Sequence, residues 1–156
     1  MIFDFQTFLP SVFNGSPFGP GDLISLADEG NVDRMVVFPQ LSQNPDNTAL
    51  ALRIKDHPRL VGGAAVNPTS GDSAARELEN SIQLGLQGLR LSPVAHQFAI
   101  DGELVNHLMK IAQKHHLPVT TDSCLENCRP VQVANLAGRF PEVTIIADVG
   151  FRPIAP

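Results

Sequence analysis

Six short, mostly apolar runs punctuate the chain, at residues 1–5, 34–38, 60–66, 86–91, 117–121 and 143–147. Apolar on both faces and rich in Val, Ile and Leu, they predict strands of a parallel sheet covered on both sides. The stretches between them carry helical spacing instead. Asp22 can cap a helix bearing Leu23, Leu26 and Ala27, and residues 49–55 set Leu50 and Ile54 one turn apart before His57-Pro58. Asp72 opens a third helix with Ala75, Leu78 and Ile82 on one face and Gly85 as its stop. Asp101 opens a fourth, striped by Leu104, Leu108, Ile111 and Ala112. Pro130 opens a fifth with Val133, Ala134 and Ala137, ended by Gly138. Strand starts lie about 25–33 residues apart, the length of a βα unit. The fold class is therefore α/β, either an open doubly wound sheet or a parallel (β/α) barrel.

Length and charge narrow the picture. The 156 residues suit a single domain spanning 1–156, whereas a closed eight-unit barrel usually needs about 250. No Gly-rich phosphate loop follows the first strand, which argues against a dinucleotide-binding open sheet. A net charge of −5 with scattered Lys and Arg leaves no basic stripe for nucleic acid or an anionic membrane. No apolar run reaches the ~18 residues that span a bilayer. Met1-Ile2-Phe3-Asp4 lacks the basic start of a signal peptide. With two cysteines, the expectation is a cytoplasmic protein with free thiols. The absence of Trp and Tyr removes the usual stacking platforms for sugars or bases.

Local motifs distinguish the barrel from the open sheet. The first strand reads Ile2-Phe3-Asp4-Phe5-Gln6-Thr7-Phe8-Leu9-Pro10. Asn47 leads to His57-Pro58-Arg59-Leu60-Val61-Gly62-Gly63 and Val66-Asn67-Pro68. Leu84-Gly85-Leu86-Gln87-Gly88-Leu89-Arg90-Leu91-Ser92-Pro93 follows, then Phe98, Asp101 and Leu117-Pro118-Val119. Phe140-Pro141-Glu142-Val143-Thr144-Ile145-Ile146-Ala147-Asp148-Val149-Gly150 closes the series. In order and spacing, these pieces resemble the amidohydrolase-related (amidohydrolase 2 type) family of barrels. The resemblance implies a parallel (β/α) barrel of the metal-dependent hydrolase type, truncated to about six of the eight βα units.

The same resemblance implies a divalent metal at the C-terminal mouth. Its ligands are His-x-His on strand one, a His ending strand five, often a His ending strand six, and an Asp on strand eight. The metal activates water or a carbonyl for hydrolysis or non-oxidative decarboxylation, with the Asp moving the proton. Here the ligand-equivalent positions are Gln6, Phe8, Asp122 and Asp148, and strand eight has no counterpart. One reading makes Gln6, Asp122 and Asp148 an oxygen-rich site for a hard ion such as Mg²⁺ or Mn²⁺, or for Zn²⁺. The favoured reading has no metal or other cofactor. Relatives that hydrolyse lactones without metal keep catalysis open, with Asp148 or Asp122 as general base.

Other residues add weaker candidates. His96, in the loop after strand four, is a candidate acid/base or substrate ligand. Arg90 holds a substrate carboxylate if it points into the barrel, or pairs with a helix acid if it points outward. Asp4, inside strand one, is expected to be held by hydrogen bonds in the core. Cys124 and Cys128 read as ordinary thiols, His115-His116 as surface or packing residues at the N-terminal end, and His57 and His107 as helix residues without a partner. The functional expectation is a hydrolase or non-oxidative decarboxylase acting on a small carboxylated or cyclic substrate. The alternative is an inactive barrel homologue or fragment that binds a ligand or partner. An incomplete barrel leaves two exposed edges, so the chain alone is expected to be marginal, a homo-oligomer, or a truncated record of a longer protein.

Overall fold

The computed structural model describes residues 1–123 and 126–149 of the chain. In chain order the strands are β1 (Phe3–Leu9), a hairpin of β2 (Val12–Phe13) and β3 (Ser16–Pro17), and β4 (Arg34–Pro39). They continue with β5 (Leu60–Gly62), β6 (Ala64–Ala65), β7 (Leu89–Leu91), β8 (Val119–Asp122) and β9 (Ile145–Asp148). Apart from the hairpin, every pairing is parallel, in the orders β1-β4-β5 and β6-β7-β8-β9. These two ladders are one series, because β5 and β6 are a single strand that changes partners at Gly63. The Gly63 N–H still donates to Val37 O (2.9 Å), while the Ala64 N–H donates to Gly88 O (2.8 Å). Asn47 seals the step: its amide donates to Ala65 O at 2.9 Å and accepts from Ala65 N at 2.8 Å, as a neighbouring strand would.

Helices cover the outer face: α1 (Pro20–Glu29), α2 (Asn47–Ile54), α3 (Asp72–Gln83), α4 (Pro93–His96), α5 (Asn106–Lys114) and α6 (Pro130–Arg139). Alternate strand residues Met35, Val37, Ala64, Leu89, Leu91 and Val119 share one hydrophobic core with Leu50, Leu78, Leu108 and Leu136 of the helices. Side-chain alternation then turns Val36, Phe38, Ala65, Arg90, Thr120 and Ile146 toward the opposite, inner face. None of the helices is long and apolar enough to cross a membrane, among the described residues.

Several boundaries differ from the expectations. β1 extends to Leu9 because its pairing with β4 continues through a bulge between Asp4 and Thr7. Asp4 staples that bulge, accepting from the Gln6 N–H (3.0 Å) and the Thr7 hydroxyl (2.5 Å). Asp101 does not open α5, which begins at Asn106 after a 3₁₀ turn. Its carboxylate instead accepts from Gln132 (3.0 Å) and Asn135 (2.9 Å) of α6, so the residue clasps two neighbouring segments. α1 starts at Pro20, with Asp22 accepting from the Gly19 N–H, and α6 runs past Gly138 to Arg139. The hairpin was not expected at all.

The barrel is not closed. β1 pairs only with β4 and β9 only with β8, among the described residues. Their edges carry Phe3 and Phe5, 36% and 38% exposed, and Val149, 65% exposed.

Candidate functional site

Register puts the candidate residues on one face. Arg90 pairs with Thr120, and Asp122 pairs with Asp148 on the next strand, so all four side chains point to the inside of the strand series at its C-terminal end. The bulge in β1 turns Gln6 toward them. A hydrogen-bonded chain results: Gln6 Nε2 donates to Asp148 Oδ2 (2.8 Å), Arg90 Nη1 donates to Gln6 Oε1 (2.8 Å), and Arg90 Nη2 forms an ion pair with Asp122. Side chains thus tie strands β9, β1, β7 and β8 together where the backbone ladder leaves a gap. A cavity of about 370 Å³ opens there, walled by Gln6, Thr120, Ile146 and Asp148. A second cleft of similar volume lies away from these carboxylates, between the ends of β1 and β4 and α2.

Arg90 therefore points into the barrel, and its partner acid comes from the adjacent strand rather than from a helix. Its side chain is 4% exposed, against 24% for Asp122. Burying a guanidinium this deeply is costly unless it is paired, which Asp122 and Gln6 accomplish. Arg90 Nε remains buried without a hydrogen-bond partner, as does the Ser92 hydroxyl two residues on, whose alternation puts it on the same inner face. Ser92 was not singled out from the sequence, although its spacing from Arg90 was sufficient to find it.

The remaining candidates fall elsewhere. Phe8 pairs in register with Phe38, and their rings lie tilted at 6.4 Å between centroids. His96 sits on α4, 3% exposed, with Nε2 2.8 Å from Ser42 O and Nδ1 buried without a partner. Its hydrogen bond runs to the loop after β4, not to the carboxylates. Gln43 reinforces this contact by donating to Ala95 O at 2.8 Å. Cys128 is buried with Sγ 3.7 Å from Glu126 O, whereas Cys124 lies outside the described residues. His115 and His116 line a depression with Leu117 and Pro118 at the start of β8, the end opposite to Asp122.

The donor set does not fit a divalent metal. One ligand-equivalent position carries the Phe8 ring, and the Arg90 guanidinium already lies against Asp122. No three His, Cys, Asp or Glu side chains cluster so as to hold an ion, among the described residues. What the arrangement offers is a carboxylate and an amide, Asp148 and Gln6, at the wall of one small cavity, with the buried Arg90–Asp122 ion pair joined to them through Gln6.

The comparisons with known proteins agree with this architecture. An uncharacterised TIM-barrel protein from Bordetella bronchiseptica superposes with a TM-score of 0.75 at 14% identity, over 94% of this chain and 66% of that one. A probable 2-pyrone-4,6-dicarboxylic acid hydrolase from Acinetobacter baumannii, with citric acid bound, gives 0.65 at 20% identity, over 94% and 57%. A 5-carboxyvanillate decarboxylase from Novosphingobium aromaticivorans, complexed with manganese and 4-hydroxy-3-methoxy-5-nitrobenzoic acid, gives 0.63 at 15% identity, over 80% and 47%. The chain thus spans less than two thirds of the length of these structures, and at such identities the likeness shows the fold alone. A search of curated proteins found no match. The sequence model described as amidohydrolase matches residues 11–149. With nearly the whole chain matched and the strand order of its barrel in place, the protein belongs to the amidohydrolase family.

Proposed function

We propose that the inner cavity binds a small carboxylated substrate and hydrolyses a cyclic ester in it without a bound metal. The observation that carries this reading is the Asp148–Gln6–Arg90–Asp122 chain at the C-terminal strand ends, where barrels of this kind place their chemistry. Arg90 acts on the cavity through the wall residue Gln6, and its charge favours a substrate carboxylate there. Asp148, at the cavity wall and oriented by Gln6, takes the proton from a water as that water adds to the acyl carbon. The bond from acyl carbon to ring oxygen then breaks, and the proton held by Asp148 passes to that oxygen. Substrate and water become one ring-opened hydroxy acid. His96, clasping the loop after β4 to α4, serves in this reading as a positioning residue.

The relatives' substrates supply the compounds to try. A panel of carboxylated lactones including 2-pyrone-4,6-dicarboxylate, and carboxylated phenols including 5-carboxyvanillate, is assayed in the presence of EDTA. Ring opening is expected, with Asp148→Asn lowering kcat by about 10²-fold or more. Arg90→Lys is expected to raise KM about tenfold and to change kcat less. Release of CO₂ would move the activity to decarboxylation. Binding without turnover, unaffected by Asp148→Asn, would make the domain a ligand-binding module and remove the hydrolase reading.

A further inference from the structure

We propose that the Arg90 guanidinium is the resident cation of this site, joining the strands that a metal ion would otherwise join and keeping divalent ions out. This goes beyond the hydrolase reading and does not depend on turnover.

A metal at this mouth would draw together ligands from the first, fifth and sixth strands of the parallel series. Here β8 and β9 are already paired through their backbones, and side chains draw β1 to them. Arg90 reaches Gln6 on β1 at 2.8 Å and pairs with Asp122 on β8, and Gln6 reaches Asp148 on β9 at 2.8 Å. Gln6 suits the middle of this chain because an amide has one accepting and one donating end. The accepting end faces the guanidinium and the donating end faces the carboxylate. Asp122 and Asp148 are register partners, so the guanidinium that pairs with one carboxylate stands on the same face as the other.

Burial makes the arrangement exclusive. At 4% exposure, Arg90 cannot give up Asp122 to a metal without becoming a buried, unpaired cation. A divalent ion placed against both carboxylates would also sit beside the guanidinium, and that like-charge repulsion acts in a medium with little water. Phe8, packed on Phe38, withholds the further ligand that could compensate. Replacing the cation, rather than adding ligands, is therefore what should open the site to metal.

The test is a Mn²⁺ titration read by the paramagnetic resonance of free Mn²⁺ and by thermal melting, on wild type, Arg90→Met, Arg90→Lys and Arg90→Met/Asp122→Asn. Wild type and Arg90→Lys are expected to bind no Mn²⁺ at micromolar concentrations. Arg90→Met is expected to melt lower than wild type, to bind Mn²⁺ at least about tenfold more tightly, and to regain melting temperature as Mn²⁺ is added. The double variant, relieved of the Asp122 charge that Arg90 would have paired, is expected to recover stability without gaining Mn²⁺ affinity. Stoichiometric, Asp122-dependent binding of Mn²⁺ to wild type would overturn the proposal. So would a folded Arg90→Met with wild-type indifference to Mn²⁺. Should Arg90→Met fail to fold, the double variant decides: recovery of folding on removing the Asp122 charge supports the proposal, and continued failure overturns it.

Discussion

Gly63 stands where the third strand changes partners, and Phe38 leaves no room for a side chain there. A Cβ built on Gly63 would lie 2.2 Å from Phe38 Cε1 and 2.8 Å from Cδ1. Phe38 is fully buried and cannot simply swing away. Gly63→Ala is therefore expected to destabilise the protein by about 1–3 kcal/mol, the range for overpacking a filled interior. Urea denaturation would measure this, and adding Phe38→Leu should restore part of the loss. An unchanged midpoint for Gly63→Ala would mean that the strand can shift at that point. The same tightness bears on the site, since Phe38 backs Phe8, a position the sequence resemblance equates with a metal ligand. At this scale the sequence was only half legible. The order of motifs singled out Gln6, Phe8, Asp122 and Asp148 as candidates, but alternation gives only which residues share a face. Whether Arg90 looked in or out depended on which face met the helices. The bulge that turns Gln6 inward arises from a side chain, Asp4, bonding the backbone two residues ahead.

Strands and helices were more readable than their ends. The six apolar runs became strands because the face under the helices is largely apolar. The inner face admits Arg90, Thr120 and the two aspartates only where they bond one another or face the cavity. The two-residue strands of the hairpin carry no periodicity, and only the Asn14-Gly15 pair at its tip, both at positive φ, marks the turn. Asp101 misled for a physical reason: an Asp before a helical stripe suits an N-cap, yet this one bonds across to α6. That cross-link makes a pH prediction. The hydrogen bond from Asn135, followed by that from Gln132, favours the ionised carboxylate and holds its pKa below the usual aspartate value. A group with a depressed folded-state pKa contributes fully above its unfolded pKa. The contribution fades as pH falls through the folded value, because the unfolded chain takes up the proton first. Asp101→Asn should therefore lower the urea midpoint at pH 7, with the gap to wild type closing as pH falls below about 4. A gap that stays constant from neutral to acid pH would show that the clasp does not depend on the charge.

For the whole molecule, the open flank between β1 and β9 governs behaviour in solution. In a closed barrel each edge strand would find a partner, whereas here the two edges are bridged by Gln6 and Asp148 alone, among the described residues. The unpaired side of β1 carries Phe3 and Phe5, and Ile2 beside them is 54% exposed. Val149 adds an apolar contact beyond β9. Unpaired strand edges flanked by exposed apolar side chains are templates for another strand. The simplest strand available to a purified sample is β1 or β9 of a second copy. Sedimentation velocity over about a hundredfold range of concentration should accordingly reveal association that strengthens with concentration. Phe5→Lys should weaken it, because a lysine on an edge opposes strand addition while the parallel ladder to β4 is retained. Circular dichroism distinguishes that outcome from simple unfolding. Association unaffected by the lysine would assign the contact to another surface, such as the exposed Val12 and Phe13 of the hairpin. A monomer at every concentration would mean that the Gln6–Asp148 bridge and the local twist protect the edges well enough. In that case the side chains of the candidate site would also be what keeps the open barrel from assembling.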